Sequence, residues 1–179
     1  MLFRSLYGRH KLLKQMPPVE FGGEMISQVD VYDTTFADPP HRFEAGTMPI
    51  AAVIGLGKAI DFVRRVGYCP MQRRVQHLTR MAMDGLLAMP NVTVYNPNNT
   101  TSGVISYNID GVHPHDAAGI YDREGVSLRA GQHCSQPMMR CLRQHATLRA
   151  SLAFYNTEEE VQRFLEVTGK AGDFLDILF

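Results

Sequence analysis

From about residue 48 onward the sequence predicts an α+β fold, a small and mostly antiparallel sheet that carries helices on one face. Three observations lead there. Apolar residues recur at helical spacing in two long segments, first Val53, Leu56, Ile60 and Val63, then Val75, Leu78, Ala82, Leu86 and Met89. After Pro90, short runs rich in β-branched residues alternate with helix-patterned segments. Thr157-x-x-Glu160 then forms a capping box ahead of a last apolar stripe. With 179 residues and 45% hydrophobic content, the chain can bury a sizeable core.

The elements follow in order. Tyr7 to Gln15 predicts a short basic helix, stopped by Pro17-Pro18. Gln28 to Phe36 has the Val, Tyr and Thr content of a strand or hairpin arm, and Asp38-Pro39-Pro40 ends it. Arg42 to Thr47 has no regular period, and its Gly46-Thr47 directly precedes a helix. Such a loop end can hold a phosphate through backbone N–H groups and a hydroxyl, although Thr47 serves as readily as an ordinary N-cap. The two stripes from Val53 to Val63 and from Val75 to Met89 predict long core helices, ended at Gly67 and Pro90. Gly55-Leu56-Gly57-Lys58 is no phosphate loop, because Ala52 stands at the motif's first glycine and Ala59 follows the lysine. Strands are predicted at Val92 to Tyr95, Val104 to Ile109 and Val126 to Arg129, with a helix from Pro114 to Arg123 ended by Gly125. His113-Pro114-His115 begins that helix and is not a metal site. In Thr147 to Thr157, alternation puts Leu148, Ala150, Leu152 and Phe154 on one face and Arg149, Ser151 and Ala153 on the other.

Bulk properties exclude several function classes. A formal net charge of +0 argues against a general nucleic-acid or membrane-surface binder. Cys69, Cys134 and Cys141 are an odd count at irregular spacing, which fits a reducing, cytoplasmic compartment better than a disulfide framework. The apolar run from Met48 to Gly57 is too short to span a bilayer.

Chemistry concentrates in Arg129-Ala130-Gly131-Gln132-His133-Cys134-Ser135-Gln136-Pro137. This stretch leaves a strand, turns at a glycine, sets a cysteine beside a histidine and meets a proline that can open a helix. A thiol attacks only as thiolate, a form favoured by cationic neighbours and by helix N-termini. Arg149, pointing away from the core, carries a guanidinium fork suited to a carboxylate. His133, Cys134, Cys141 and His145 are also metal-ligand residue types, but their spacing matches no zinc pattern.

Arg-Ala-Gly-x-His-Cys-x-x-Pro followed by Arg-Ala-Ser and Tyr-Asn-Thr-x-Glu-Glu resembles the C-terminal part of the SufS-type (class II) cysteine desulfurases and selenocysteine lyases, in the class V aminotransferase group. Leu6-Tyr7-Gly8, Met16-Pro17-Pro18, Gly22-Gly23-Glu24-Met25-Ile26, Arg42 to Thr47, Ile54 to Ile60 and Gly111-Val112-His113-Pro114-His115-Asp116 match in the same order. The resemblance implies the small C-terminal domain of a fold type I pyridoxal-phosphate transferase at residues 48–179. Residues 1–47 would then be the trailing edge of the α/β cofactor-binding domain. Met1 to Ser5 precede the first match, where relatives are still inside their large domain, and the expectation is a reading frame cut at the edge of an assembled fragment.

For the intact enzyme the resemblance implies these roles. Cys134 attacks the sulfur of L-cysteine, leaving alanine and a persulfide, with His133 able to move a proton nearby. Arg149 clamps the substrate carboxylate and Arg129 assists. Gly46 and Thr47 hold the cofactor phosphate of a neighbouring subunit, which implies a homodimer. The Schiff-base lysine would lie upstream of Tyr7, outside this chain, so the chain alone is expected to be inactive. The persulfide sulfur would pass to an acceptor protein for iron–sulfur cluster assembly, and selenocysteine could share the pocket. A non-catalytic remnant or a partner-dependent half-enzyme, and a metal-binding module, are the alternatives. Gln132 replaces a common second histidine, Ser135 an alanine, and Met48-Pro49 a Pro-Asn pair.

Overall fold

The computed structural model describes residues 5–178, so the expectation for Met1 to Arg4 lies outside the described residues. The chain divides into two compact units, one up to Arg65 and the other from Val66 onward. The long helix predicted to open the second domain is therefore grouped almost wholly with the first.

The first unit contains α1 (His10–Gln15), the antiparallel pair β1 (Ile26–Val29) and β2 (Thr34–Phe36), a 3-10 turn at His41–Phe43, and most of α2 (Ile50–Val66). Helix α1 starts three residues later than expected, where the Arg9 carbonyl accepts the amides of Leu12 and Leu13. The hairpin tip is closed by its own acids. Asp30 and Asp33 carboxylates accept the amides of Val31 and Thr34 at 2.7 and 2.8 Å. Helix α2 does not begin directly after Gly46-Thr47. The Pro49 carbonyl accepts the Val53 amide, so the helix is capped two residues beyond Thr47, which is not its N-cap. Its apolar stripe forms but is not core, since none of its residues is buried. The short neighbouring elements of this unit are themselves exposed and bury little.

In the second unit, α3 (Tyr68–Leu87) leads into β3 (Val92–Val94), β4 (Val104–Ile109), α4 (Pro114–Arg123), β5 (Arg129–Gly131), α5 (Gln136–Leu142), β6 (Thr147–Ser151) and α6 (Glu158–Leu178). The sheet order is β3-β4-β6-β5, with every pair antiparallel. Strand alternation explains the layering. Ile105, Tyr107 and Ile109 of β4 and Leu148 and Ala150 of β6 face Leu78, Ala82 and Leu86 of α3, Ala117 and Tyr121 of α4, and Val161, Phe164 and Val167 of α6. The opposite face bears Ser106, Asn108 and Arg149 and carries no part of this core. The capping box forms as predicted, Glu160 accepting the Thr157 amide at 3.0 Å and Thr157 Oγ1 accepting the Glu160 amide at 3.2 Å.

Two strands differ from expectation. The third predicted strand runs over Arg129–Gly131 and not Val126 to Arg129, because Gly125 takes a left-handed φ of 76° and Val126 donates its amide back to the Tyr121 carbonyl. The end of α4 thus consumes the residue that would have started the strand. Strand β6 stops at Ser151, short of Thr157. Beyond it, the Asn156 side chain accepts the Ala153 amide and folds Ala153 to Asn156 into a turn. Gly103, at φ 71°, lies so close to the Leu152 carbonyl and Val75 that no Cβ fits.

The core contains one polar chain. Tyr107 donates to Tyr121 at 2.8 Å, Tyr121 donates to Thr168 at 2.6 Å, and Thr168 donates to the Phe164 carbonyl at 2.8 Å. Burial raises the pKa of both tyrosines, that of Tyr107 most. Both therefore remain neutral donors. Among the described residues, no helix is long and apolar enough to cross a membrane.

Candidate active site

Strand β5 delivers the chain to Gln132, after which His133 and Cys134 turn it into α5. The turn is made by these two residues and not by Gly131. His133 has φ 53° and Cys134 φ 57°, two successive non-glycine residues in the left-handed region. Such residues cost roughly 1 to 2 kcal/mol each, so the surroundings must hold them. Two contacts do so. The Ser135 amide donates to the Gln132 carbonyl at 2.9 Å, and His133 Nε2 lies 3.0 Å from the Thr147 carbonyl and 3.1 Å from Thr147 Oγ1. The outcome is a free Cys134 thiol on the surface.

Antiparallel register builds the cationic part. Arg129 of β5 lies directly opposite Arg149 of β6, and Arg149 in turn lies opposite Ser106 of β4. Directly opposed residues share a face, so both guanidinium-bearing residues stand on the sheet face that the helices leave open. Placing two like charges opposite each other is unfavourable without an anion. Arg149 Nε is moreover buried without a hydrogen-bond partner. A donor left in that state normally costs about 1 to 3 kcal/mol, and a carboxylate would satisfy it. Burial, followed by the Arg149 and Arg129 charges, lowers the pKa of His133 against the opposing effect of the Thr147 carbonyl. The imidazole is therefore neutral at pH 7, and because a carbonyl only accepts, Nε2 holds its proton and Nδ1 is the basic atom.

The structure thus gathers Arg129, His133, Cys134 and Arg149 onto the β5–β6 edge of one unit. It adds Ser106 and Thr147, which composition did not single out. Only strand register reveals them, and no motif carries it. Gly46 and Thr47 belong to the first unit. Gly46, at φ 78°, donates its amide to the Gly23 carbonyl at 2.9 Å, so that N–H is already used and is not free for a phosphate. Thr47 has no hydrogen bond among the described residues, which leaves its amide and hydroxyl for an anion. The four candidate metal ligands are not brought together. Among the described residues, no three His, Cys, Asp or Glu side chains are grouped to hold an ion. A cleft of about 500 Å³ bounded by Val126, Leu128, Ala150, Leu152 and Phe164 does not include Cys134.

The aminotransferase class-V family matches residues 5–164. A probable cysteine desulfurase of Staphylococcus aureus (strain COL) is 42% identical over 175 residues, which are 97% of this chain and 42% of that protein. Among solved structures, the cysteine desulfurase CsdA (S-sulfonic acid) from Escherichia coli superposes with a TM-score of 0.88 at 32% identity, covering 94% of this chain and 42% of that one. A cysteine desulfurase from Thermococcus onnurineus NA1, in its apo form, gives the same TM-score and coverage at 36% identity. The chain spans about 42% of the length of these relatives.

Proposed function

This chain belongs to the aminotransferase class-V family, and we propose that it carries the sulfur-handling half of a cysteine desulfurase. On this reading the substrate is L-cysteine, or selenocysteine in the same pocket, and the product is alanine with a persulfide on Cys134. The observation that carries it is the juxtaposition of an exposed thiol, held on a strained turn, with the paired Arg129 and Arg149, one of which has a buried and unsatisfied donor.

The residues divide the work by chemistry. Arg149 donates its free Nε–H to the substrate carboxylate, and Arg129, directly across the strand pair, neutralises the remaining charge. The Cys134 thiolate attacks the substrate sulfur. A sulfur–sulfur bond forms, the carbon–sulfur bond breaks, and its electron pair leaves with the carbon, which takes a proton and becomes the methyl of alanine. His133 Nδ1 is the basic atom placed next in sequence to Cys134 and can take the thiol proton. Pyridoxal phosphate, when bound, supplies the electron sink for that carbon. Thr47 is the residue here suited to its phosphate, serving a partner subunit in a homodimer, while Gly46 shapes the loop without lending its amide.

Residues 48–179 are read as the small domain and residues 1–47 as the edge of the cofactor-binding domain. Lys11, Lys14, Lys58 and Lys170 are not assigned as the Schiff-base lysine, and Lys14 is already paired with Asp38 at 3.0 Å. A cytoplasmic location and a sulfur-acceptor protein of iron–sulfur assembly complete the reading. The test mixes the chain with a separately produced cofactor-bearing domain of a relative, adds L-cysteine, and measures alanine together with the mass of the Cys134 peptide. Alanine formation with one added sulfur on Cys134, both lost in Cys134→Ser, is the expected result. Alanine formation that survives Cys134→Ser would overturn the assignment, and absence of any alanine in the mixture would leave a non-catalytic remnant as the account.

A further inference from the structure

Thr147 is wholly buried, starts β6 and shares the sheet face of Arg149, opposite the helix-packed core. Its backbone and its side chain aim at the same atom, since the carbonyl and Oγ1 lie 3.0 and 3.1 Å from His133 Nε2. The carbonyl can only accept, so Nε2 carries the proton, with Oγ1 beside it as a second acceptor; this fixes the tautomer and leaves Nδ1 as the ring atom able to take another proton. The same anchor ties down the first of the two left-handed residues that present Cys134. The rest of the turn is held by the Ser135 amide on the Gln132 carbonyl and the Met139 amide on the Ser135 carbonyl.

We propose that Thr147 is the positioning residue of the nucleophile loop: its hydroxyl and carbonyl hold His133 as the Nε2–H tautomer and so set both the proton affinity of Nδ1 and the presentation of Cys134. The inference rests on the reading of Cys134 as nucleophile and His133 as its proton acceptor, but it concerns a contact within this chain and can be measured without cofactor or turnover. The imidazolium binds an acceptor more tightly than the neutral ring does, so losing the Thr147 hydroxyl weakens proton binding at His133. The charged groups facing the ring are Arg149 from β6 and Arg129 from β5, with the Cys134 thiol adjacent in the turn. Neither arginine is altered by a change at Thr147.

The experiment follows the His133 ring resonances by NMR across pH in the full chain, identified by their absence in His133→Asn, alongside the pH profile of Cys134 alkylation read by peptide mass. In Thr147→Val the proton affinity of His133 falls about fivefold, the worth of one hydrogen bond. The inflection of the alkylation profile that His133→Asn removes moves to lower pH by the same factor. Thr147→Ser, which keeps the hydroxyl, restores both. If Thr147→Val does not fold, Thr147→Ala carries the same expectation. An unchanged His133 titration in a folded Thr147→Val or Thr147→Ala variant, or an equal loss in Thr147→Ser, overturns the proposal. An alkylation profile indifferent to His133→Asn, with the Thr147 effect on the ring intact, overturns the catalytic use of His133 and leaves the tautomer anchor standing.

Discussion

Replacing Arg149 by methionine should make this chain more stable while removing the carboxylate site proposed for it. Three features set the magnitude. Arg149 Nε is buried with no partner, a condition that costs about 1 to 3 kcal/mol. Arg129 stands directly opposite across β5 and β6, and a like-charge pair in that position costs a further 0.2 to 1 kcal/mol, roughly. Methionine keeps most of the aliphatic stem, so little packing is lost against the sheet. Because Arg149 is only partly buried as a residue, the net gain expected is about 1 to 2 kcal/mol. With a urea dependence of about 2 kcal/mol per molar, the unfolding midpoint should rise by roughly 0.5 to 1 M at low salt, and by less at high salt, where the Arg129–Arg149 repulsion is already screened. The assay is urea denaturation of wild type and Arg149→Met followed by far-ultraviolet circular dichroism at two salt concentrations. A midpoint that falls would refute the claim that the site is held open at the expense of the fold.

Three further outcomes follow from the same structure. Tyr121→Phe strands the buried Tyr107 hydroxyl without an acceptor and should cost about 2 kcal/mol, Tyr107→Phe about 1, and the double variant no more than Tyr121→Phe alone; strictly additive losses in a urea double-mutant cycle would contradict the chain of donors described. Gly103→Ala forces a Cβ against the Leu152 carbonyl at a left-handed residue and should destabilise the second unit by at least about 2 kcal/mol, read as a fall in melting temperature. The His133 pKa is lowered on folding, so the unfolded chain binds its proton first as pH falls. Its contribution to stability is therefore complete above the unfolded value of about 6.5 and is lost as pH drops through the folded one. His133→Asn should remove that part of the pH dependence between pH 7.5 and 5.5.

Much of the architecture was legible because its signals are local. Val104 to Ile109 and Pro114 to Arg123 emerge with the boundaries that alternation, Pro114 and Gly125 indicated, and the Thr157–Glu160 box caps α6. The two misplaced strand boundaries have a common cause, a backbone amide claimed by a nearby group. Val126 is taken by the end of α4, and Ala153 by the Asn156 side chain. Propensity contains neither competitor. The motif around Cys134 was visible as a string, whereas the pairing of Arg129 with Arg149 depends on register between two strands with a helix between them in the chain. Thr147 was hidden for the same reason. The stripe on α2 shows the converse limit, since an apolar periodicity states what a helix can bury and not whether anything in the chain buries it.

The two faces of the β3-β4-β6-β5 sheet have different evolutionary freedom. On the helix side, Ile105, Tyr107 and Leu148 are locked into a close-packed interior, where the loss of one methylene is felt throughout. On the open side, Ser106, Arg129 and Arg149 contribute nothing to that interior, and at least one of them strains it. Selectivity can therefore drift by single substitutions on the open side while the inherited scaffold stays intact, and the stability released by discarding an arginine is available to absorb the next innovation.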